Sequence, residues 1–154
     1  MAGSREGRGL DTATDSRRVP IEETEIFRIF EECADWVWET VETWDWKAQR
    51  TVGIHLVRAA DSINANLVEG DGRYTAGDAL HFFVIARGSA RESQLWIRRA
   101  IKRRLVDEVE GAKQLADLGS AGRQLNRLIS FRRKNRDALV AREETRTYDF
   151  EEVE

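Results

Sequence analysis

Residues 58–72, RAADSINANLVEGDG, decide how the chain folds. Ala60, Ile63 and Leu67 recur at spacings of three and four, which puts them on one face of a helix. Ser62, Asn66 and Glu69 recur in the same way, so a polar stripe runs beside the apolar one. A helix that only filled a core would keep a hydroxyl, an amide and a carboxylate on its far side, because each is costly to bury without a partner. The stripe therefore predicts a second helix carrying complementary groups. Residues 86–95, ARGSARESQL, fit best: Ser89 and Glu92 share a face, and Gly88 removes a side chain where two backbones could approach. The five polar residues are expected to form a buried network between the two helices, with Arg58, Arg87 or Arg91 as counter-charges.

The 154 residues, 41% of them hydrophobic, match one domain with a core of its own. The single cysteine, Cys33, cannot form an internal disulfide; beside Ile29, Phe30 and Val37 it reads as a small core residue, which fits a reducing compartment. No apolar run is long enough for a membrane span, and the first twenty positions hold no signal-peptide core, so a cytoplasmic protein is expected.

Charge is strongly segregated. Residues 21–46 carry nine acids against Arg28 alone, a local net charge of −8, whereas residues 98–136 carry twelve bases against four acids, a net of +8. Arginine outnumbers lysine 21 to 4. Guanidinium suits phosphate, although biased coding or salt adaptation would give the same ratio.

The pattern along the chain predicts an all-α, antiparallel, up-down-up-down four-helix bundle over residues 21–140. Residues 1–20 hold too little apolar surface to pack and read as a disordered arm. Pro20 marks the start of a first helix with the stripe Ile26, Phe30, Cys33, Val37, Val41 and Trp44, flanked by Trp36 and Trp38 as a contact surface. Asp45 caps a second helix with Val52, Leu56, Ala60, Ile63 and Leu67 inward, ended by Gly70 or Gly72 in the left-handed conformation. Thr75 and Asp78 form a capping box for a third, with Phe82, Phe83, Ala86, Ala90, Ile97 and Ile101 inward and an end near Leu105. Asp107 and Glu110 open a fourth, whose stripe is Leu115, Leu118, Gly122, Leu125 and Ile129; Gly119 and Gly122 suggest a kink or a close crossing. Residues 141–154 are strongly acidic and read as an unpacked tail.

The segments RAADSINANLVEGDGR and FFVIARGSARESQLWIRRA, with QLNRLISFRRK in the last helix, resemble the four-helix-bundle proteins called 23S rRNA intervening-sequence proteins. The resemblance spans roughly residues 26–134. Ser62, Ile63, Asn66, Glu69 and Gly70 match its "SIxANxxEG" block, and Ala86, Arg87, Gly88, Ser89 and Glu92 its "ARGSxxE" block. It implies an antiparallel bundle assembling as a ring-like homopentamer. Through related accessory variability determinants of diversity-generating retroelements, it also implies binding to a reverse transcriptase and its RNA.

Catalytic chemistry is poorly served by this sequence. A two-metal bundle site needs paired Glu-x-x-His motifs, but only Asp78 and His81 approach that spacing, and His55 has no acid three residues earlier, so no metal or cofactor is expected. Cys33 lies among acids, the opposite of the setting a thiolate needs. No glycine-rich phosphate loop is present in the sequence. The candidate binding residues are two basic clusters, Arg98, Arg99, Lys102, Arg103 and Arg104, then Arg127, Arg132, Arg133, Lys134 and Arg136. If both lay on one rim they would form a phosphate-binding surface, multiplied in an oligomer. The expectation is a non-enzymatic, homo-oligomeric accessory protein that holds RNA or a reverse transcriptase. The alternative is a protein–protein scaffold engaged through Trp36, Trp38 or the acidic surfaces.

Overall fold

A computed structural model describes the backbone over residues 19–151 and the side chains as far as residue 143. Most of the expected N-terminal arm and the last three residues of the tail lie outside the described residues. Pro20 leads not into the long helix but into a 3-10 turn, Ile21–Glu23. The Thr24 hydroxyl then accepts the Phe27 amide at 3.3 Å and starts helix α1, Glu25–Glu42. The true cap therefore lies later than the proline suggested, because a hydroxyl that can bind a free helix-end amide outweighs a residue that merely fixes φ.

Asp45 caps the next helix as expected, accepting the Ala48 amide at 2.9 Å. A short α turn, Trp46–Ala48, passes into a π turn, Gln49–Gly53, before helix α2, Ile54–Asp71. A Cβ at Gly53 would stand 2.7 Å from Val41 Cγ1 and 3.3 Å from the Ala48 carbonyl, so α1 passes directly against the π turn. The stripe Val52, Leu56, Ala60, Ile63 and Leu67 is no more than 2% exposed. The glycines at its end serve a different purpose from the one expected. Neither adopts the left-handed conformation, and Arg104, with φ 58°, is the only non-glycine with positive φ among the described residues. Instead Gly70 lets the Phe83 ring lie on the backbone, since a Cβ there would be 2.9 Å from Phe83 Cε1.

Thr75 and Asp78 form the reciprocal box: the Asp78 amide donates to Thr75 Oγ1 at 3.1 Å and that hydroxyl donates to the Asp78 carboxylate at 2.8 Å. Helix α3 runs Ala76–Lys102, three residues short of the expected end. Phe83, Ala86, Ala90 and Ile97 are buried, but Phe82 is only half-buried and lies under the Arg73 guanidinium, 4.5 Å from its ring centre. Asp107 Oδ2 accepts the amides of Val109 and Glu110 at 3.0 and 3.1 Å and opens helix α4, Glu108–Glu151.

Leu118, Ala121, Leu125 and Ile129 form the buried face of α4. Ala121 takes the place expected of Gly122, which faces outward with nothing within 4 Å of where a Cβ would sit. The close approach near the start of α4 is at Gly111, where a Cβ would be 2.6 Å from Ile101 Cγ1. The acidic tail departs from expectation in backbone, because α4 continues helical through it; from Asp137 to Glu143 every described side chain is exposed.

Side-chain pairs fix the helix directions. Between α2 and α3 these are His55 with Trp96, Ser62 with Ser89, and Gly70 with Phe83. Numbers rise on one helix as they fall on the other. The same holds for Gln94 near Gly119 and Arg87 with Asn126 between α3 and α4, and for Phe27 with Asn64 and Ile21 with Asp71 between the α1 end of the chain and α2. Because α1 also packs on α4, the four helices close into a ring around one core. No helix among the described residues is long and apolar enough to cross a membrane.

The two kinds of glycine give opposite expectations. Gly70→Ala forces the buried Phe83 ring aside and should lower stability by about 1–3 kcal/mol, as overpacking does. Gly88→Ala, in open space on α3, should raise it by up to about 1 kcal/mol through helix propensity. Urea denaturation of both variants checks the pair; equal shifts would contradict this account of Gly70.

Candidate nucleic-acid interface

The polar stripe on α2 meets α3 through a pair of hydroxyls, braced by an amide of α2 itself, and not through carboxylates. Ser62 Oγ lies 3.0 Å from Ser89 Oγ, and Asn66 Nδ2 donates to Ser62 Oγ at 3.0 Å and to the Ser62 carbonyl at 2.7 Å. Ser93, fully buried one turn further along α3, donates to the Ser89 carbonyl at 2.9 Å. Glu69 and Glu92 are exposed and leave the expected network. Glu69 pairs with Arg73 on its own side of the bundle, and Glu92 accepts the Trp96 indole N–H at 3.3 Å. A carboxylate can stay hydrated at the edge of a seam, whereas burying it would require a matched cation. Arg87, expected as a counter-charge, donates to Asn126 Oδ1 at 3.3 Å.

The two basic clusters do not share a rim. Arg98, Arg99, Lys102, Arg103 and Arg104 occupy the C-terminal end of α3, beside the start of α4. Arg127, Arg132, Arg133, Lys134 and Arg136 lie further along α4, at least about 28 Å from its start at 1.5 Å per residue. The antiparallel turn carries them to opposite ends. Arg132 is tied inward, 3.7 Å from the Asp71 carboxylate and over the Phe83 ring, and Arg136 pairs with Asp137 at 2.7 Å. Arg98, Arg99, Lys102, Arg103, Arg104, Arg127, Arg133 and Lys134 are exposed.

Between the two clusters lies a groove that neither of them revealed. Arg87, Ala90, Arg91 and Gln94 of α3 face Leu118, Gly119, Gly122, Arg123 and Asn126 of α4 across a groove of about 440 Å³. Asn126 is shared with a shallower depression formed by Arg127, Ser130, Phe131 and Lys134. Together these surfaces present five cations, Arg87, Arg91, Arg123, Arg127 and Lys134, with no carboxylate among their lining residues. Gly119 and Gly122 leave the wall low between them. In the sequence Arg123 stands isolated and Arg87 and Arg91 sit among acids and serines; only the register of α3 against α4 gathers them. A second cleft, at the α3–α4 turn, sets Arg103 beside Lys47, Thr51 and Asp45.

An acidic pair lies between α1 and α2. Asp35 and Asp61 lie close enough that burial, and then the Asp35 charge, raise the Asp61 carboxyl above its ordinary pKa. This acidic pair belongs to α1 and α2, whereas the cations of the groove belong to α3 and α4. Cys33 is buried, and burial followed by the nearby Asp117 charge pushes its thiol from 9.0 up to about 12. It therefore remains a protonated thiol at neutral pH. His55 stacks on Trp96 with ring centres 4.7 Å apart, while Asp78 is taken by the Thr75 cap. Among the described residues no three His, Cys, Asp or Glu are grouped to hold a metal.

The bundle defines a helical protein whose α3–α4 groove is lined by cations and hydrogen-bonding groups. The chain belongs to the 23S rRNA-intervening sequence protein family, whose pattern matches residues 22–127. That span contains every residue of the α3–α4 groove and the first basic cluster, and ends at Arg127. A comparison with curated proteins finds no match.

Two measurements probe this geometry. Ser89→Ala, which breaks the inter-helix hydroxyl pair, should cost about 1 kcal/mol, and Glu69→Gln at an exposed pair less than about 0.5; the reverse order in urea denaturation would restore the carboxylate to the seam. For Cys33, the unfolded thiol ionises near 9.0 and the folded one near 12, so the stability it contributes is complete below pH 9 and is lost as pH rises through that interval. Cys33→Ala should thus flatten the alkaline limb of the stability profile relative to the unaltered chain; identical slopes would rule out the burial argument.

Proposed function

We propose that the chain is a non-enzymatic accessory protein that binds RNA, alone or held by a partner such as a reverse transcriptase, along the α3–α4 wall, and works as a homo-oligomer. The observation that carries this reading is the groove lined by Arg87, Arg91 and Arg123 and continued by Arg127 and Lys134 without a lining carboxylate. A row of cations without acids attracts a polyanion and releases its counterions on binding. The first basic cluster then serves as a flanking contact at the end of the wall, not as half of a single rim. The family name, which refers to 23S rRNA, agrees with a ribonucleic partner. The non-enzymatic part draws on a cysteine that burial keeps protonated. A pentameric ring would repeat the wall around its axis and raise avidity.

Binding of a labelled RNA should weaken steeply with salt, with a log–log slope of about −0.7 for each phosphate that the protein neutralises on a single strand. Arg91→Gln with Arg123→Gln should reduce affinity about tenfold and make that slope shallower by more than about one unit, measured by fluorescence anisotropy. Binding that ignores salt and these substitutions would defeat the proposal. A second reading, a protein–protein scaffold, is favoured by Trp38, 57% exposed on the acidic first helix next to half-buried Trp36. It would gain ground if Trp38→Ala dissociated a co-purifying protein while RNA affinity stayed unchanged.

A further inference from the structure

We infer that the α3–α4 wall holds a single-stranded segment, one base of which stacks on Phe131; this rests on the RNA-binding reading above. Phe131 is 61% exposed although it sits on the most basic stretch of α4. It belongs to the same depression as Asn126, Arg127, Ser130 and Lys134, and through Asn126 that depression opens into the groove of Arg87, Arg91 and Arg123. Arg127 lies one helical turn before the ring and Lys134 nearly one turn after it, so a cation stands on either side, about 6 Å and about 4.5 Å away along the axis. An aromatic face between two cations matches what a single strand offers: a base with a π-face and phosphates on both sides.

The competing occupants fit less well. A duplex keeps its bases stacked inside and would engage the cations alone, leaving the ring in water. An apolar protein surface would cover the ring but would have to desolvate Arg127 and Lys134, which have no carboxylate of their own in the depression. Asp137, the nearest acid after the ring, is already taken by Arg136. Asn126 and Ser130 supply hydrogen-bonding groups beside the ring that suit a base edge or a 2′-hydroxyl. The groove thus aligns the backbone, and Phe131 selects for an unpaired base.

The test compares a labelled oligouridine with an RNA duplex of the same length at one salt concentration, using the full chain and its Phe131→Ala and Phe131→Trp variants. Stacking on one base predicts that Phe131→Ala loses about tenfold in affinity for the single strand, with the salt slope and duplex binding unchanged. Phe131→Trp should keep or exceed the original affinity. If Phe131→Ala binds the single strand as tightly as the parent while Arg91→Gln with Arg123→Gln weakens it, the stacking site is wrong and the RNA reading survives. If the parent binds neither RNA, both fall together. A changed sedimentation profile of the RNA-free Phe131→Ala protein would place the ring at a contact between copies and overturn the inference.

Discussion

The α2–α3 seam sets the geometry on which the other features depend. Ser62 against Ser89 and Gly70 against Phe83 fix the register at two points about two turns apart, one by hydrogen bonding and one by close packing. The hydroxyl pair cannot slide by a residue without leaving buried polar atoms unmatched. The ring of Phe83 cannot slide without meeting a Cβ. Asn66 adds to the first constraint by donating to both oxygens of Ser62, so that side chain is held by its own helix before α3 arrives. A small number of neutral groups therefore specifies the register, without the desolvation that a buried carboxylate pair would bring.

From that register the basic groove follows. With α3 held on α2, α4 must descend along α3, and Arg123 arrives opposite Arg87 and Arg91 although 36 residues separate it from the first of them. The same connection sends the second basic cluster to the far end of the bundle. There Arg132 is drawn in to Asp71, which also accepts the Ile21 amide, so one carboxylate ties the 3-10 turn before α1, the end of α2 and the middle of α4 together. That cation contributes to architecture, while its neighbours Arg133 and Lys134 remain exposed.

Much of this was legible in the sequence because helix periodicity and caps are local. Asp45, Thr75 with Asp78, and Asp107 all cap where their spacing says, and the stripe from Val52 to Leu67 is buried throughout. Glycine was harder to read, since the letter is the same whether it ends a helix, admits a ring or opens a surface. Gly70, Gly111 and Gly122 look alike in sequence; their different tasks depend on which residue of another helix lies opposite. The carboxylates of Glu69 and Glu92 misled for a related reason: they share a periodic spacing with the serines of the seam, but their longer side chains can leave it for water. The groove was invisible because its cations come from two helices in antiparallel order.

The half-buried glycines of the groove agree with the proposed binding wall. Gly119 and Gly122 lie within α4, where each weakens the helix by about 1 kcal/mol relative to alanine. At Gly122 no packing requirement accounts for that penalty, because an alanine would meet nothing within 4 Å; at Gly119 the nearest atoms are Arg123 Nη1 and Gln94 Nε2, both ends of flexible side chains. Two such residues one turn apart leave a low strip flanked by Arg91 and Arg123. A surface meant only to stay hydrated would be better served by alanine or a charged residue, whereas a surface meant to let another chain's backbone come close needs the space that a missing Cβ provides.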